Sequence, residues 1–261
     1  MLTTNASWLA LSLLIGLCLG SVMNMVVYRL AATLLRDEDD PAPALNFFWP
    51  PSHCPHCGSA IRWYDNIPVF SWLALRGRCR DCGAPIGWRY LWLELSLGAW
   101  GLLCAWLQPP GLDWGAFMLY GAWLLALAWI DALHRLLPDL LTQSLLWLGL
   151  LWHLVSDRVT VEDAVIGAVA GYLTLGLLYW LGRWRYGFEV LGRGDMKCLA
   201  ALGAWLGWQA LPQVLLLASL FTLAFALWHI VRRRAHRRSE FPFGPGLALA
   251  GLVFLCYPLL Q

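Results

Sequence analysis

"GRGDMKCLAALGAWLGWQALPQ", residues 192–213, holds the break on which the topology turns. From Cys198 to Leu211 there are 14 residues, about 21 Å of helix, too short for a hydrocarbon core of about 30 Å. The helix is therefore expected to begin earlier, near Val190, with Asp195 at or just inside the membrane edge. "WQALPQ" (208–213) then separates it from the next apolar run.

Outward from this segment the pattern repeats. The chain has 261 residues, 60% of them hydrophobic and only 13% charged, with mean hydropathy +0.60. A soluble domain of that composition would expose too much apolar surface, so the chain reads as an all-α polytopic membrane protein. Apolar runs near 6–28, 90–107, 114–131, 136–155, 164–182, 190–208, 211–231 and 243–260 give about eight transmembrane helices. Eighteen tryptophans suit many membrane–water boundaries. The first run has nothing basic before it and is too long for a signal-peptide core, so it is expected to stay as an anchor.

Arginine sets the orientation. Alternate connections hold Arg29, Arg36, Arg62, Arg76, Arg78, Arg80 and Arg89, then Arg135, then Arg183, Arg185, Arg193 and Lys197, and last Arg232, Arg233, Arg234, Arg237 and Arg238. Of 18 basic residues this leaves Arg158 for the opposite side. The positive-inside rule places those loops in the cytoplasm and both termini outside. Omitting the cut at 208–213 would spoil the alternation. Three regions follow: a first transmembrane helix at 1–29, a cytoplasmic domain at 30–89, and a seven-helix membrane domain at 90–261.

The cytoplasmic domain carries "CPHC" (54–57) and "CRDC" (79–82), with 21 residues between the pairs. Two such knuckles complete a closed tetrahedral zinc site from Cys54, Cys57, Cys79 and Cys82, at the spacing of a zinc ribbon. A reducing compartment keeps these thiols free for metal, and so small a domain needs the metal to fold. His53 and His56 flank the first knuckle as alternative ligands. Cys18, Cys104, Cys198 and Cys256 lie in apolar segments and read as small core side chains. "RDEDD" (36–40) reads as a solvated charge cluster.

Two acids fall at one depth. Between Trp114 and Ile130 there are 17 residues, and Asp131 follows without a break. Asp195 sits at the same level by the argument above. Ionisable groups there mark functional sites by default. Brought together, two carboxyl groups do not both ionise easily, so one keeps its proton while the other acts as a base, the machinery of an aspartic protease. Gly192 and Gly194 would let a substrate backbone approach. Asp195 could equally cap its helix, with Arg193 and Lys197 reaching headgroups, and spacing alone leaves both readings open. Asp139, after Pro138, reads as a turn or supporting residue.

The residues resemble a known family over nearly the whole chain, the bacterial type IV prepilin peptidases or leader peptidase/N-methyltransferases, which are GxGD-type aspartic membrane proteases. The resemblance rests on "GSVMNMVVYRL" (20–30), "PSHCPHCG" (51–58), "RWYDNIPVFSWLALRGRCRDCGAPI" (62–86), "RYLWLE" (89–94), "IDALHRLLPDLLT" (130–142), "GRGDMKCLAALGAWLG" (192–207) and "FPFGPGLALA" (241–250). Leu91 departs from it, standing where many relatives have proline. The resemblance implies that Asp131 and Asp195 are the catalytic pair and that Cys54, Cys57, Cys79 and Cys82 bind the metal.

It further implies a bacterial inner-membrane endopeptidase. Such an enzyme removes the basic leader of type IV prepilins and type II secretion pseudopilins after glycine, at the cytoplasmic face. It then methylates the new N-terminus with S-adenosylmethionine. No glycine-rich nucleotide loop is evident, so methyl-donor contacts are unassigned, with Asp65, Asn66 and Glu94 as residues to test. The partners implied are those pilin-like substrates and the lipid bilayer, and no nucleic acid. Other readings of the same residues are a zinc-domain scaffold or small transporter whose aspartates couple to ions, and a GxGD protease cutting helices in mid-membrane.

Overall fold

The computed structural model describes residues 5–36, 51–187, 191–232 and 241–257. Residues 37–40 of the acidic cluster, Val190, and Arg233, Arg234, Arg237 and Arg238 lie outside them. The described elements are α1 (Ala6–Leu34), α2 (Phe70–Ala74), α3 (Trp88–Leu107), α4 (Leu112–His134), α5 (Asp139–Trp152), α6 (Val161–Tyr186), α7 (Arg193–Leu206), α8 (Leu211–Val231) and α9 (Gly244–Cys256). Every apolar run marked in the sequence carries one of these helices. Among the described residues there are no strands, only two isolated bridges.

Among the described residues, five helices are long and apolar enough to cross a membrane: α1, α3, α4, the Val161–Arg185 stretch of α6, and α8 with the short turn before it. Their outward faces are leucine, valine and tryptophan, such as Leu177 and Trp180 on α6 and Leu220 and Leu223 on α8. A helix satisfies its own backbone hydrogen bonds, so such surfaces are stable against lipid. The chain is a multi-pass membrane protein.

The chain divides into two compact units, Met1–Ala126 and Leu127–Gln261, with the boundary inside α4. In the first unit α1 and α3 pack along a seam of glycines that the apolar pattern does not reveal. A side chain at Gly20 would come within 2.5 Å of the Glu94 Cα, and one at Gly101 within 2.5 Å of the Ser12 carbonyl oxygen. Close backbone approach is how helices associate in lipid, where apolar burial gives little drive. Polar bonds reinforce the seam: Ser12 Oγ donates to the Gly101 carbonyl at 2.6 Å and Asn24 Nδ2 to the Tyr90 carbonyl at 2.8 Å. Trp100 Nε1 donates to the Phe117 carbonyl at 2.9 Å, fastening α4 to the pair.

The second unit repeats the device. Gly167 and Gly171 of α6 lie against Gly203, Leu199 and Ala200 of α7, and a Cβ at Gly171 would meet the Leu199 carbonyl oxygen at 2.6 Å. On the other side of α7, Trp205 Nε1 donates to the Leu145 carbonyl of α5 at 2.8 Å.

One sequence expectation is corrected here. The helix after Gly192 does not start near Val190. It starts at Arg193, with Gly192 extended at its N-cap, and ends at Gly207, whose φ is +77°. Its 14 residues rise only about 21 Å. The shortfall is tolerated because α7 is enclosed by protein: every residue from Cys198 to Trp205 is buried. Backbone that ends inside the membrane must be covered by protein, and here it is. Cys104, Cys198 and Cys256 are buried as expected, whereas Cys18 is exposed on α1.

Replacing Gly171 by Leu forces α6 and α7 apart, and overpacking of this kind costs about 1–3 kcal/mol. The full-length protein in detergent should therefore melt at a lower temperature with Gly171→Leu. Gly115→Ala on α4, where a Cβ meets nothing, should leave the midpoint unchanged or raise it.

Candidate active site and four-cysteine centre

The segment between α1 and α3 folds around two similar knuckles. In the first, the Cys54 amide donates to the Ser59 carbonyl at 2.9 Å and the Gly58 amide to the Cys54 carbonyl at 2.9 Å. In the second, the Cys79 amide donates to the Ala84 carbonyl at 2.8 Å and the Gly83 amide to the Cys79 carbonyl at 3.0 Å. Each turn closes through a glycine with positive φ, +73° at Gly58 and +71° at Gly83, a conformation that costs glycine nothing.

The knuckles bring Cys54, Cys57, Cys79 and Cys82 together, with all four sulfurs within 4.8 Å of one another. Cys54 Sγ and Cys82 Sγ are 3.9 Å apart. A tetrahedral ion with Zn–S bonds of about 2.3 Å needs sulfurs about 3.8 Å apart. The donor set fits a metal and leaves no open coordination position. His53 Nδ1 instead lies 3.0 Å from the Pro51 carbonyl oxygen, and neither flanking histidine joins the cluster.

The four thiols are electrostatically unequal. Cys57 is lowered to about 6, chiefly by hydrogen bonds from the Ser59 hydroxyl and amide. Cys79 is also lowered, by the Cys82 and Asp81 amides. At Cys82 the Ala84 amide favours the thiolate, but burial and the three neighbouring thiols together push it up to about 12. A dication at the centre would replace the protons this cluster otherwise shares.

Two residues proposed from sequence as methyl-donor contacts have protein partners. Asp65 accepts Arg80 Nε at 2.9 Å and Nη2 at 2.6 Å, which holds its carboxyl below the usual range and ties the 63–66 turn to the second knuckle. Glu94, buried on α3, accepts the Val69 amide at 2.8 Å. Asn66 is exposed.

The second unit holds the aspartates. Asp131 lies one turn before the end of α4 and is 6% exposed; Asp195 lies in the first turn of α7 and is 8% exposed. Asp131 lies close enough to act on Asp195 electrostatically, and both acids are buried. The chain leaves α4 through Arg135, at φ +56°, whose amide donates to the Asp131 carbonyl at 2.9 Å. Asp195 folds back to accept the Gly192 amide, as an acid at the third helical position does for its own N-cap. Capping and pairing are thus compatible in one residue.

Gly244, at the start of α9, was not singled out by its sequence context beyond the "FPFGPG" motif. Its amide donates to Asp131 Oδ2 at 2.8 Å, and a Cβ there would lie 2.6 Å from that oxygen. Asp139 and Lys197 pair at 2.5 Å. Arg193 Nε donates to the buried Tyr179 hydroxyl at 3.2 Å. Two buried carboxyl groups brought within hydrogen-bonding or one-water distance could hold one proton between them, so that one accepts a proton while the other donates.

The family model for the bacterial peptidase A24 N-terminal domain matches residues 14–108, and that for the type IV leader peptidase family matches 118–227. A prepilin leader peptidase/N-methyltransferase of Dickeya chrysanthemi is 47% identical over 262 residues, 95% of this chain and 92% of its own. Proteins of the same name from Aeromonas hydrophila and Stutzerimonas stutzeri are 46% and 42% identical, over 96% and 94% of this chain and 91% and 89% of theirs. No solved structure matches.

Metal affinity should depend on pH in a direction set by the thiols. Above about 6 a metal need not displace a proton from Cys57; below it the proton competes. Zinc affinity, measured by competition with a chromophoric chelator, should therefore fall more steeply below that pH. Binding at neutral pH should still release protons to a weak buffer, because Cys82 retains its own.

Proposed function

Because the chain belongs to the type IV leader peptidase family, we propose that it is an inner-membrane aspartic endopeptidase. It removes the basic leader of type IV prepilins or type II secretion pseudopilins after glycine, and it methylates the new N-terminal amine with S-adenosylmethionine. The observation that carries the peptidase reading is the burial of Asp131 and Asp195 within electrostatic reach of each other.

Asp131 and Asp195 are the catalytic pair. One carboxylate takes a proton from a water as that water attacks the scissile carbonyl. The other, protonated, then supplies the proton that lets the amine leave. The Gly244 amide fixes the Asp131 carboxylate, and the Gly192 amide fixes that of Asp195. The helix ends bearing both acids lie on the arginine-rich side, which the positive-inside rule makes cytoplasmic. A substrate with a basic leader in water and an apolar helix in lipid presents its junction at this height.

Cys54, Cys57, Cys79 and Cys82 hold a structural zinc ion, which cross-links the two knuckles of a module too small to bury much core. Asp65 and Glu94 are committed to Arg80 and Val69.

Purified protein mixed with a prepilin in detergent should yield the leader-free product by mass. Asp131→Asn and Asp195→Asn should each lower the cleavage rate by about 10²-fold or more. Cleavage that survives both substitutions sinks the assignment. Gly244→Ala retains both aspartates but displaces the Asp131 carboxyl. It should lower the rate by up to about 10²-fold, in keeping with the cost of a small misplacement. A single added methyl on the product, seen only with S-adenosylmethionine, tests the second activity.

A further inference from the structure

The four-cysteine module does not sit wholly above the end of the membrane helices. Its helix α2 is held against α3 at two heights. The Val69 amide, just before α2, donates to Glu94 Oε2, and the Trp72 ring lies 4.6 Å from the ring of Trp88. Trp88 is the first residue of α3 and Glu94 its seventh, a rise of about 9 Å. Helix α3 has 20 residues, about 30 Å, so crossing the hydrocarbon core uses its whole length. The level of Glu94 is therefore inside the membrane, and α2 runs from that level up to the membrane edge.

The sequence of α2 suits that position. Phe70 and Leu73, three residues apart on α2, share one helix face and are 64% and 57% exposed, whereas Ser71 is buried; Ile67, in the extended segment just before the helix, is 44% exposed. On α3, Trp88, whose ring meets that of Trp72, and Trp92 one turn further on are also exposed. Beyond α2 the chain presents Arg76 and Arg78, both exposed.

The connection is also strained. Val69, a β-branched residue, has φ +63°, a conformation that persists only when its surroundings impose it. Here the Glu94 carboxylate holds the Val69 amide at that depth, and Ser71 Oγ donates to the Ile67 carbonyl at 2.6 Å.

We infer that α2 is an interfacial helix sunk into the leaflet that the N-terminal end of α3 enters. Ile67, Phe70 and Leu73 rest against acyl chains, and Arg76 and Arg78 meet anionic headgroups. The occupant of the exposed face is lipid, because the face continues the outer surface of a spanning helix at a depth where lipid is the solvent. Its charge order, apolar below and basic above, matches an anionic leaflet. Glu94 is then a positioning residue that sets the height of the four-cysteine module.

The test uses the full-length protein in nanodiscs of phosphatidylethanolamine and phosphatidylglycerol. A photo-crosslinking phenylalanine analogue replaces Phe70, and the peptide containing that position is mass-analysed after illumination, with and without a prepilin. Phospholipid adducts in both samples are expected. Adducts only to the prepilin or to a second copy of the chain, or no adducts in a sample that still cleaves prepilin, overturn the inference. Hydrogen exchange gives a measure that needs no analogue. A five-residue helix left in water exchanges quickly, so Phe70→Asp with Leu73→Asp should speed exchange across 69–75 by about tenfold or more. Equal rates in the parent and the double variant would count against lipid burial.

Discussion

The hydrogen bond from the Gly244 amide to Asp131 Oδ2, 2.8 Å long, is the contact that holds the buried carboxyl at the end of α4 in place. A carboxyl group this deeply buried needs a polar partner. The protein supplies one from backbone, at the first turn of α9, because Gly244 has no side chain to keep the two apart. Asp195 is served in the same way by the Gly192 amide at the start of α7. Both acids are thus held by main chain at helix N-termini, where unpaired N–H groups point at an anion in any case. Fixed donors of this kind need no reorganisation when the charge on a carboxyl changes.

Short helices make that site possible. A full-length helix after Gly192 would place the first turn of α7 at a membrane boundary exposed to lipid or water. By starting at Arg193 and being wrapped in protein along its apolar length, α7 puts Asp195 inside protein instead. Close packing of α6 on α7 through Gly167, Gly171 and Gly203 gives the enclosure without bulky side chains. The same small-residue logic joins α1 to α3, so one packing rule builds both units.

The four-cysteine module is a different kind of structure. It has little core, its two knuckles repeat the same turn geometry, and its order rests on the sulfur cluster and the Asp65–Arg80 pair. Its attachment through Glu94 and Trp72 ties that order to a membrane helix pair. The buried glutamate thus fixes the four-cysteine module to α3 through the Val69 amide.

Much of this was legible in the sequence, for reasons tied to particular residues. The length of each apolar run located its helix, because lipid leaves a chain no other way to satisfy its backbone. The CxxC pairs named the four sulfurs that converge, since two-residue spacing lets both thiols of a knuckle face one point. Depth counting placed Asp131 and Asp195 at one level. The sequence could not say that Asp195 caps its helix while sitting beside Asp131, that Lys197 pairs with Asp139, or that Gly244 is the partner of Asp131. Nor could it show that α7 begins at Arg193. Those outcomes depend on which helix faces touch and how closely, and periodicity carries no such information where every face is apolar. Only the packed structure brings residues 131, 195 and 244 to one place.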